Sequence, residues 1–240
     1  MNTIPAMHID NSTVRLPPPP EIIRQYGPLV SSIARRMIAN PVLAEDAAQN
    51  AWLEILKSLP TFQARSALST WIYTIASRVI MRTIQKERVY TRREMAALFD
   101  KMQHYIPAPA DIERELRVKE TCDKCLTGFL YCLDTESKLA FLLRELGDLP
   151  SHEIAVILDK NAASVRQIIS RSKKKLTAFM DDRCFLFNPE GSCTCRIKKE
   201  AVEIDLPATV HKMKQMLGKV RFYKAMDRIL PRKNYWKKYL

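Results

Sequence analysis

Apolar residues recur three and four apart along most of the chain, and nowhere do they alternate long enough to mark a strand. Tyr26, Leu29, Val30, Ile33, Ala34, Met37 and Ile38 form the first such stripe and predict a helix from about Glu21. Asn40-Pro41 reads as a stop and a restart, with Asn40 as N-cap and Pro41 at the first helical position. The next helix turns Ala44, Ala48, Ala51, Trp52, Ile55 and Leu56 inward. It shows Glu45, Asp46, Gln49, Asn50 and Glu54 outward and ends at Leu59-Pro60. After a short connection, Ser69 is expected to cap a third helix carrying Trp71, Ile72, Ile75, Ala76, Val79 and Ile80 on its apolar side. The third helix turns basic as it proceeds, through Arg78, Arg82, Lys86 and Arg88. Three helices with links this short predict a small bundle over residues 21–88.

Around this bundle the pattern weakens and then resumes. Residues 1–20 end in four prolines, Pro17 to Pro20, and read as an irregular leader. Residues 89–120 mix acidic and basic groups around Pro107-Ala108-Pro109 and read as a linker. Over 121–180, Leu126, Phe129, Leu130 and Leu133 suit one helix. Leu139, Leu142, Leu143 and Leu146 suit another, with Gly147 as its C-cap. Ser151 to Leu158 and Ala162 to Leu176 follow as two helices split by Asp159-Lys160-Asn161. Residues 181–240 form an extension. The expected fold is all-α, two small helical domains joined by a linker.

The pair around Asp159-Lys160-Asn161 has the dimensions of a helix-turn-helix, with Asn161 as N-cap of the second helix. Ile154, Ala155 and Leu158 would pack on Val165, Ile168 and Ile169, leaving Ala163, Ser164, Arg166, Gln167, Ser170, Arg171 and Lys174 outward. Arg and Gln form bidentate bonds to guanine and adenine edges in the major groove, and Lys173 to Lys175 suit flanking phosphates. The plainer reading of the same residues is a helical hairpin with a solvated basic face.

Charge narrows the partners. The chain of 240 residues has 39 Lys and Arg against 26 Asp and Glu, a net charge of +13, which points to a polyanion, nucleic acid before membrane. Only 5 glycines argue against a phosphate-cradling enzyme, and no Ser/His/Asp set or paired-His motif is present. There is no secretory signal and no apolar run of membrane-spanning length, so a cytoplasmic protein without membrane insertion is expected. Its six cysteines would then stay reduced.

Two blocks carry a family resemblance. Ala44-Glu45-Asp46-Ala47-Ala48-Gln49-Asn50-Ala51-Trp52, then Phe62, then Ser69-Thr70-Trp71-Ile72-Tyr73-Thr74-Ile75-Ala76 make the first. Leu142-Leu143-Arg144-Glu145, Leu149-Pro150-Ser151-His152-Glu153-Ile154-Ala155, and Ser164-Val165 to Arg171 with Leu176 make the second. They resemble regions 2 and 4 of the sigma-70 superfamily of bacterial transcription initiation factors, in its compact extracytoplasmic-function group. The resemblance implies that region 2 docks on the clamp helices of core RNA polymerase and opens the promoter −10 element. It implies that region 4 binds the polymerase flap and reads the −35 element, while the linker runs toward the RNA exit channel. Carried onto this chain, polymerase docking falls to Glu45, Asp46, Gln49, Asn50 and Glu54. Contact with the −10 element falls to Phe62, Arg65, Ser66, Ser69, Trp71, Tyr73, Arg78 and Arg82, and reading of the −35 element to the outward residues of the helix-turn-helix. Trp71 also sits at core spacing with Ile75, which gives it a structural reading. Arg78 and Asp159 stand where relatives often have Asn and Gly, so the promoter sequence does not follow from the resemblance.

The end of the chain is outside that pattern. Cys184, Cys193 and Cys195 fall within twelve residues around a turn and suit zinc, with a fourth ligand from His211, Cys122, Cys125, Cys132 or water. A disulfide switch is the alternative. Residues 196–240 carry 13 Lys and Arg against 4 Asp and Glu, with an amphipathic stretch through Val210, Met213, Met216, Leu217, Val220 and Tyr223. Taken together, the expectation is a sigma factor with no catalytic residues and no required cofactor, whose partners are core polymerase, promoter DNA and an anti-sigma factor. The rival readings are a stand-alone helix-turn-helix regulator and a metal-dependent enzyme built on the cysteines.

Overall fold

The computed structural model describes residues 16–84, 130–183 and 190–191. Among the described residues there are six α-helices and no strand. Helix α1 is Pro19–Met37, α2 Pro41–Ser58, α3 Leu68–Thr83, α4 Thr135–Glu145, α5 Ser151–Leu158 and α6 Ala162–Arg183.

The helix boundaries follow from side-chain chemistry. Asn40 accepts from the Val42 N–H at 2.9 Å and the Leu43 N–H at 3.3 Å, while Pro41 occupies the first helical position, where an N–H would have no partner. The Asn161 carboxamide accepts from the Ser164 N–H at 2.8 Å, and Asp134 from Ser137 at 2.8 Å. Helix α2 runs into a 3-10 turn at Leu59–Thr61, where Pro60 prevents continuation.

Three expectations shift. Helix α1 begins at Pro19, two residues into the stretch read as irregular leader. Proline tolerates a first turn because its missing donor is an orphan there, and the Pro18 carbonyl accepts from Glu21 and Ile22 at 2.9 and 3.2 Å. Ser69 does not cap α3: the N-cap is Ala67, whose carbonyl already takes the Trp71 N–H at 3.1 Å, so Ser69 lies inside the first turn. At the end of α4 the left-handed residue is Asp148, φ 55°, and not Gly147. Gly147 is needed for space instead. A Cβ there would lie 2.6 Å from Leu149 Cδ1, 2.7 Å from the Leu143 carbonyl oxygen and 2.8 Å from Leu29 Cδ2.

A single apolar core runs through both groups of helices. Ile22, Val30, Ile33, Met37, Ala44, Ala51, Ile55, Ile72 and Ile80 fill the first part, and Leu139, Phe141, Leu142, Leu143, Ile154, Val165 and Leu176 the second. Helix α3 packs on α5 and α1 on α4, which joins the two parts. Of the predicted Leu126–Leu133 helix, Leu126 and Phe129 lie outside the described residues, while Leu130 and Leu133 are buried.

Candidate nucleic-acid interface

Three surfaces carry the candidate residues. On α2, burial of Ala44, Ala47, Ala48, Ala51, Trp52 and Ile55 against α1 and α3 forces Glu45, Asp46, Gln49, Asn50 and Glu54 to the outside, and all five are exposed. They share their face with apolar side chains that the sequence reading passed over. Val42 is 66% exposed, Leu43 47% and Leu53 56%, an unusual proportion for large aliphatic groups with a core available. Positions 43, 46, 50 and 53 succeed one another at helical spacing, so leucines and carboxylate or amide groups form one stripe. The signal in the sequence was Leu53 itself, an apolar residue out of phase with Trp52 and Ile55.

The second surface is the connection before α3 and the helix it leads into. Phe62 and Trp71 meet edge to face, with ring centroids 5.3 Å apart and planes at 60°, and both are half-buried. Between them the chain passes Ala64 with φ 52°, a left-handed conformation that costs a residue with a Cβ roughly 1 kcal/mol or more. Arg65 is exposed, Ser66 and Ser69 partly so. Arg78 and Arg82 are exposed one turn apart, and Arg82 donates from Nε to the Arg78 carbonyl at 3.3 Å. Tyr73 does not join this surface. It is buried, packed edge-on against Tyr26 with centroids 6.0 Å apart, and its hydroxyl is held far above the usual phenol range by burial, with Tyr26 and Glu153 adding to the effect. The stripe that predicted α3 had one apolar face; Thr70, Tyr73 and Ser77, spaced three and four apart, are a second buried face.

The third surface is α6 with its partner α5. Asp159, φ 53°, makes the left-handed turn between them, as Gly would elsewhere, and Asp is among the residues that tolerate it. Ile154, Ala155, Val165 and Ile169 are buried at the contact, with Leu158 and Ile168 partly so. Ala163, Arg166, Gln167, Ser170, Arg171 and Lys174 are then exposed, and Ser164 partly so at the helix start. The lysine run is divided in its duties. Lys173 pairs with the largely buried Glu145 at 2.6 Å, and Lys175 donates to the Cys132 carbonyl, which fastens α6 to the rest of its domain. Lys174 and Lys175 are both exposed, and Lys174 stands one turn beyond Arg171 and Ser170 on the outward face.

Cys184, Cys193 and Cys195 lie outside the described residues. Among the described residues no group of three His, Cys, Asp or Glu side chains is placed to hold a metal. Cys132 is buried, and burial raises its thiol pKa against the opposing pull of Lys175. Among the described residues no helix is long and apolar enough to cross a membrane.

Among the described residues the fold is built of helices alone, with an acidic-apolar stripe exposed on one group of helices and a cationic helix-turn-helix exposed on the other. The family model for Sigma-70 region 2 matches residues 22–89, and that for Sigma-70, region 4 matches residues 125–176, together half of the chain. The chain belongs to the sigma-70 superfamily, in its extracytoplasmic-function group. It is 26% identical over 172 residues to a probable RNA polymerase sigma factor of Haemophilus influenzae, covering 64% of this chain and 85% of that one. To the RNA polymerase sigma factor YlaC of Bacillus subtilis it is 24% identical over 156 residues, 65% of this chain and 88% of the relative. The solved structure of CnrH in complex with the cytosolic domain of CnrY shares the fold, with a TM-score of 0.50 at 17% identity, over 68% of this chain and 87% of that one. Membership accounts for both domains, whereas a stand-alone helix-turn-helix regulator leaves the first unexplained. The chain is a sigma factor, a component of promoter-specific transcription initiation by RNA polymerase.

Proposed function

We propose that the acidic-apolar stripe of α2 docks this sigma factor on core polymerase, and that the other two surfaces divide the promoter between them. The observation that carries the assignment is the exposure of Leu43 and Leu53 among Asp46, Gln49 and Asn50. Apolar side chains held in water gain free energy only when a partner covers them, and the neighbouring carboxylates suit a basic partner.

On the DNA side, the Phe62–Ser69 connection receives bases of the −10 element once they leave the stack. Phe62 and Trp71 offer aromatic edges, while Arg65, Ser66 and Ser69 offer polar contacts. Stacking of a base on an aromatic group supplies roughly 1–3 kcal/mol, comparable to the cost of unpairing it. Arg78 and Arg82 hold phosphates of the adjoining duplex. Tyr73 is left out of this set, because its ring is part of the core. The exposed face of α6 enters the major groove at the −35 element, Arg166 and Gln167 reading base edges and Arg171 and Lys174 holding phosphates.

Domain limits at 21–88 and 121–180, a cytoplasmic location and the absence of catalysis by this chain itself belong to the same proposal. So does a protein that masks these surfaces, in line with the CnrY domain bound to CnrH. Zinc at Cys184, Cys193 and Cys195 rests on their spacing; metal analysis of the purified chain with and without a Cys193→Ser change tests it. Promoter opening is tested by permanganate reactivity of thymines on a promoter that the holoenzyme uses. Thymines at the −10 element reactive with the wild type and protected with Arg65→Ala support the assignment. Equal reactivity of the two would remove that loop from the mechanism.

A further inference from the structure

Among the described residues the large apolar side chains left most exposed are Val42, Leu43 and Leu53 on α2 and Val156 on α5. Val156 is single on its helix, whereas the three on α2 form a stripe. Another side of the same bundle is covered, since the Thr70 hydroxyl on α3 donates to a Glu153 carboxylate oxygen on α5 at 2.7 Å. Around the axis of α2, Glu45 borders the stripe on one side and Glu54 on the other, with Asp46 between them. While polymerase is absent, these apolar groups stay in water unless something else covers them.

The chain itself contains a segment of complementary pattern. Residues 209–230, which lie outside the described residues, hold six Lys and Arg against one Asp and are bracketed by Pro207 and Pro231. Val210, Met213, Met216, Leu217, Val220 and Tyr223 predict one apolar helix face. At helical spacing Lys214 and Arg221 border that face on one side, and Lys212 and Lys219 on the other. This run and the apolar run on α2 are each roughly 17–20 Å long at helical rise. Laying one apolar face on the other therefore brings the basic borders to Glu45 and Glu54. The exposed cations of α3 and α6 repel such a segment, while α2 suits it in both sign and apolar content. Reach is no obstacle. Val210 follows Arg183, the end of α6, by 27 positions. A chain of that length extends up to about 90 Å, more than twice the roughly 35 Å width of a compact body of this size.

We propose that residues 209–230 dock on the outward stripe of α2 in the free protein, and that core polymerase displaces them to bind. This regulation rests on the reading of α2 as the polymerase face given above. Tethering holds the segment near α2 at an effective concentration on the order of 1 mM, so an intrinsic Kd of about 0.1 mM keeps roughly nine-tenths of the free molecules occupied. Polymerase then binds about tenfold more weakly than it would bind an open molecule.

The test uses the full-length chain with benzoylphenylalanine in place of Tyr223 for photo-cross-linking. Beside it stand two sets of substitutions in the full-length chain, Lys212→Glu with Lys219→Glu, and Met213→Asp with Leu217→Asp. One set removes charge and the other apolar cover, so poor folding of either leaves the other to decide. The expected result is cross-links to α2 within one molecule, lost at saturating core polymerase, and a Kd for polymerase about tenfold lower in both sets. Cross-links only to other parts of the chain, or polymerase affinity equal to the wild type in both sets, would overturn the proposal. Loss of polymerase binding by Asp46→Arg would in that case leave the docking role of α2 standing without it. Cross-links to α2 that persist at full polymerase occupancy would instead remove the docking reading of α2, and the competition with it. A fall in DNA affinity in both sets, with polymerase affinity unchanged, would transfer the segment to nucleic acid.

Discussion

Helices α2 and α6 each present one exposed stripe at helical spacing, and the two differ in kind. The stripe on α2 sets Val42, Leu43 and Leu53 among Glu45, Asp46, Gln49, Asn50 and Glu54, and the helix has no basic residue before Lys57. The stripe on α6 sets Arg166, Arg171 and Lys174 among Gln167, Ser170 and Ala163, and the helix has no acidic residue before Asp181. Apolar groups in an acidic surround suit a surface that can be dried by a basic protein. Cations beside amides and small residues suit phosphates and base edges, where close approach of the helix matters more than apolar area. On the assignment proposed above, one helix geometry serves two recognition problems through the choice of side chains on the outward face alone.

The comparison is broken most sharply at α2. Asp46→Arg, or Leu53→Asp, is expected to weaken binding to core polymerase about 100-fold or more, with helical content unchanged by circular dichroism. Retained binding in a pull-down would take the docking role away from α2. Next in size is base reading on α6. Arg166→Ala or Gln167→Ala should lose about 1–3 kcal/mol of discrimination at one position of the −35 element, measured by competition between promoter variants, while polymerase binding stays intact. An equal loss on every promoter sequence would mean that these residues hold phosphates only.

A smaller and different signature is expected from Lys174. Its replacement by Ala should weaken binding evenly across sequences and lower the slope of log affinity against log salt by about 1. The same change at Lys173 should act on stability instead, because Lys173 is paired with Glu145. Last, Asn40→Ala and Asn161→Ala should each cost about 1 kcal/mol of stability by thermal or denaturant unfolding, since each side chain caps one helix of the compared pair. Unequal costs would show that the two helices are not equally dependent on their own ends.

The helices themselves were legible because their signals are local. Asn40 before Pro41, Asn161 before Ala162 and the apolar stripes between them depend on neighbours within a few residues. The outward residues of α2 and α6 were legible for the same reason, as the complement of a buried stripe. What escaped is what depends on distant partners. Thr70 and Glu153 are 83 residues apart in the chain, so nothing near Tyr73 announced that α5 would cover that side of α3. Tyr73 was therefore expected at the surface with Phe62 and Trp71, when only the latter two meet there. Leu53 escaped for a different reason: the stripe rule sorts apolar residues inward, and an exposed apolar residue violates that rule.

The most direct test of the central claim is transcription in vitro with purified core polymerase on a pooled promoter library, with and without this protein. Transcripts are expected whose start sites arise only on its addition and share two elements, one read near −35 and one opened near −10. Binding of the protein alone to DNA, with no new start site in its presence, would contradict that claim.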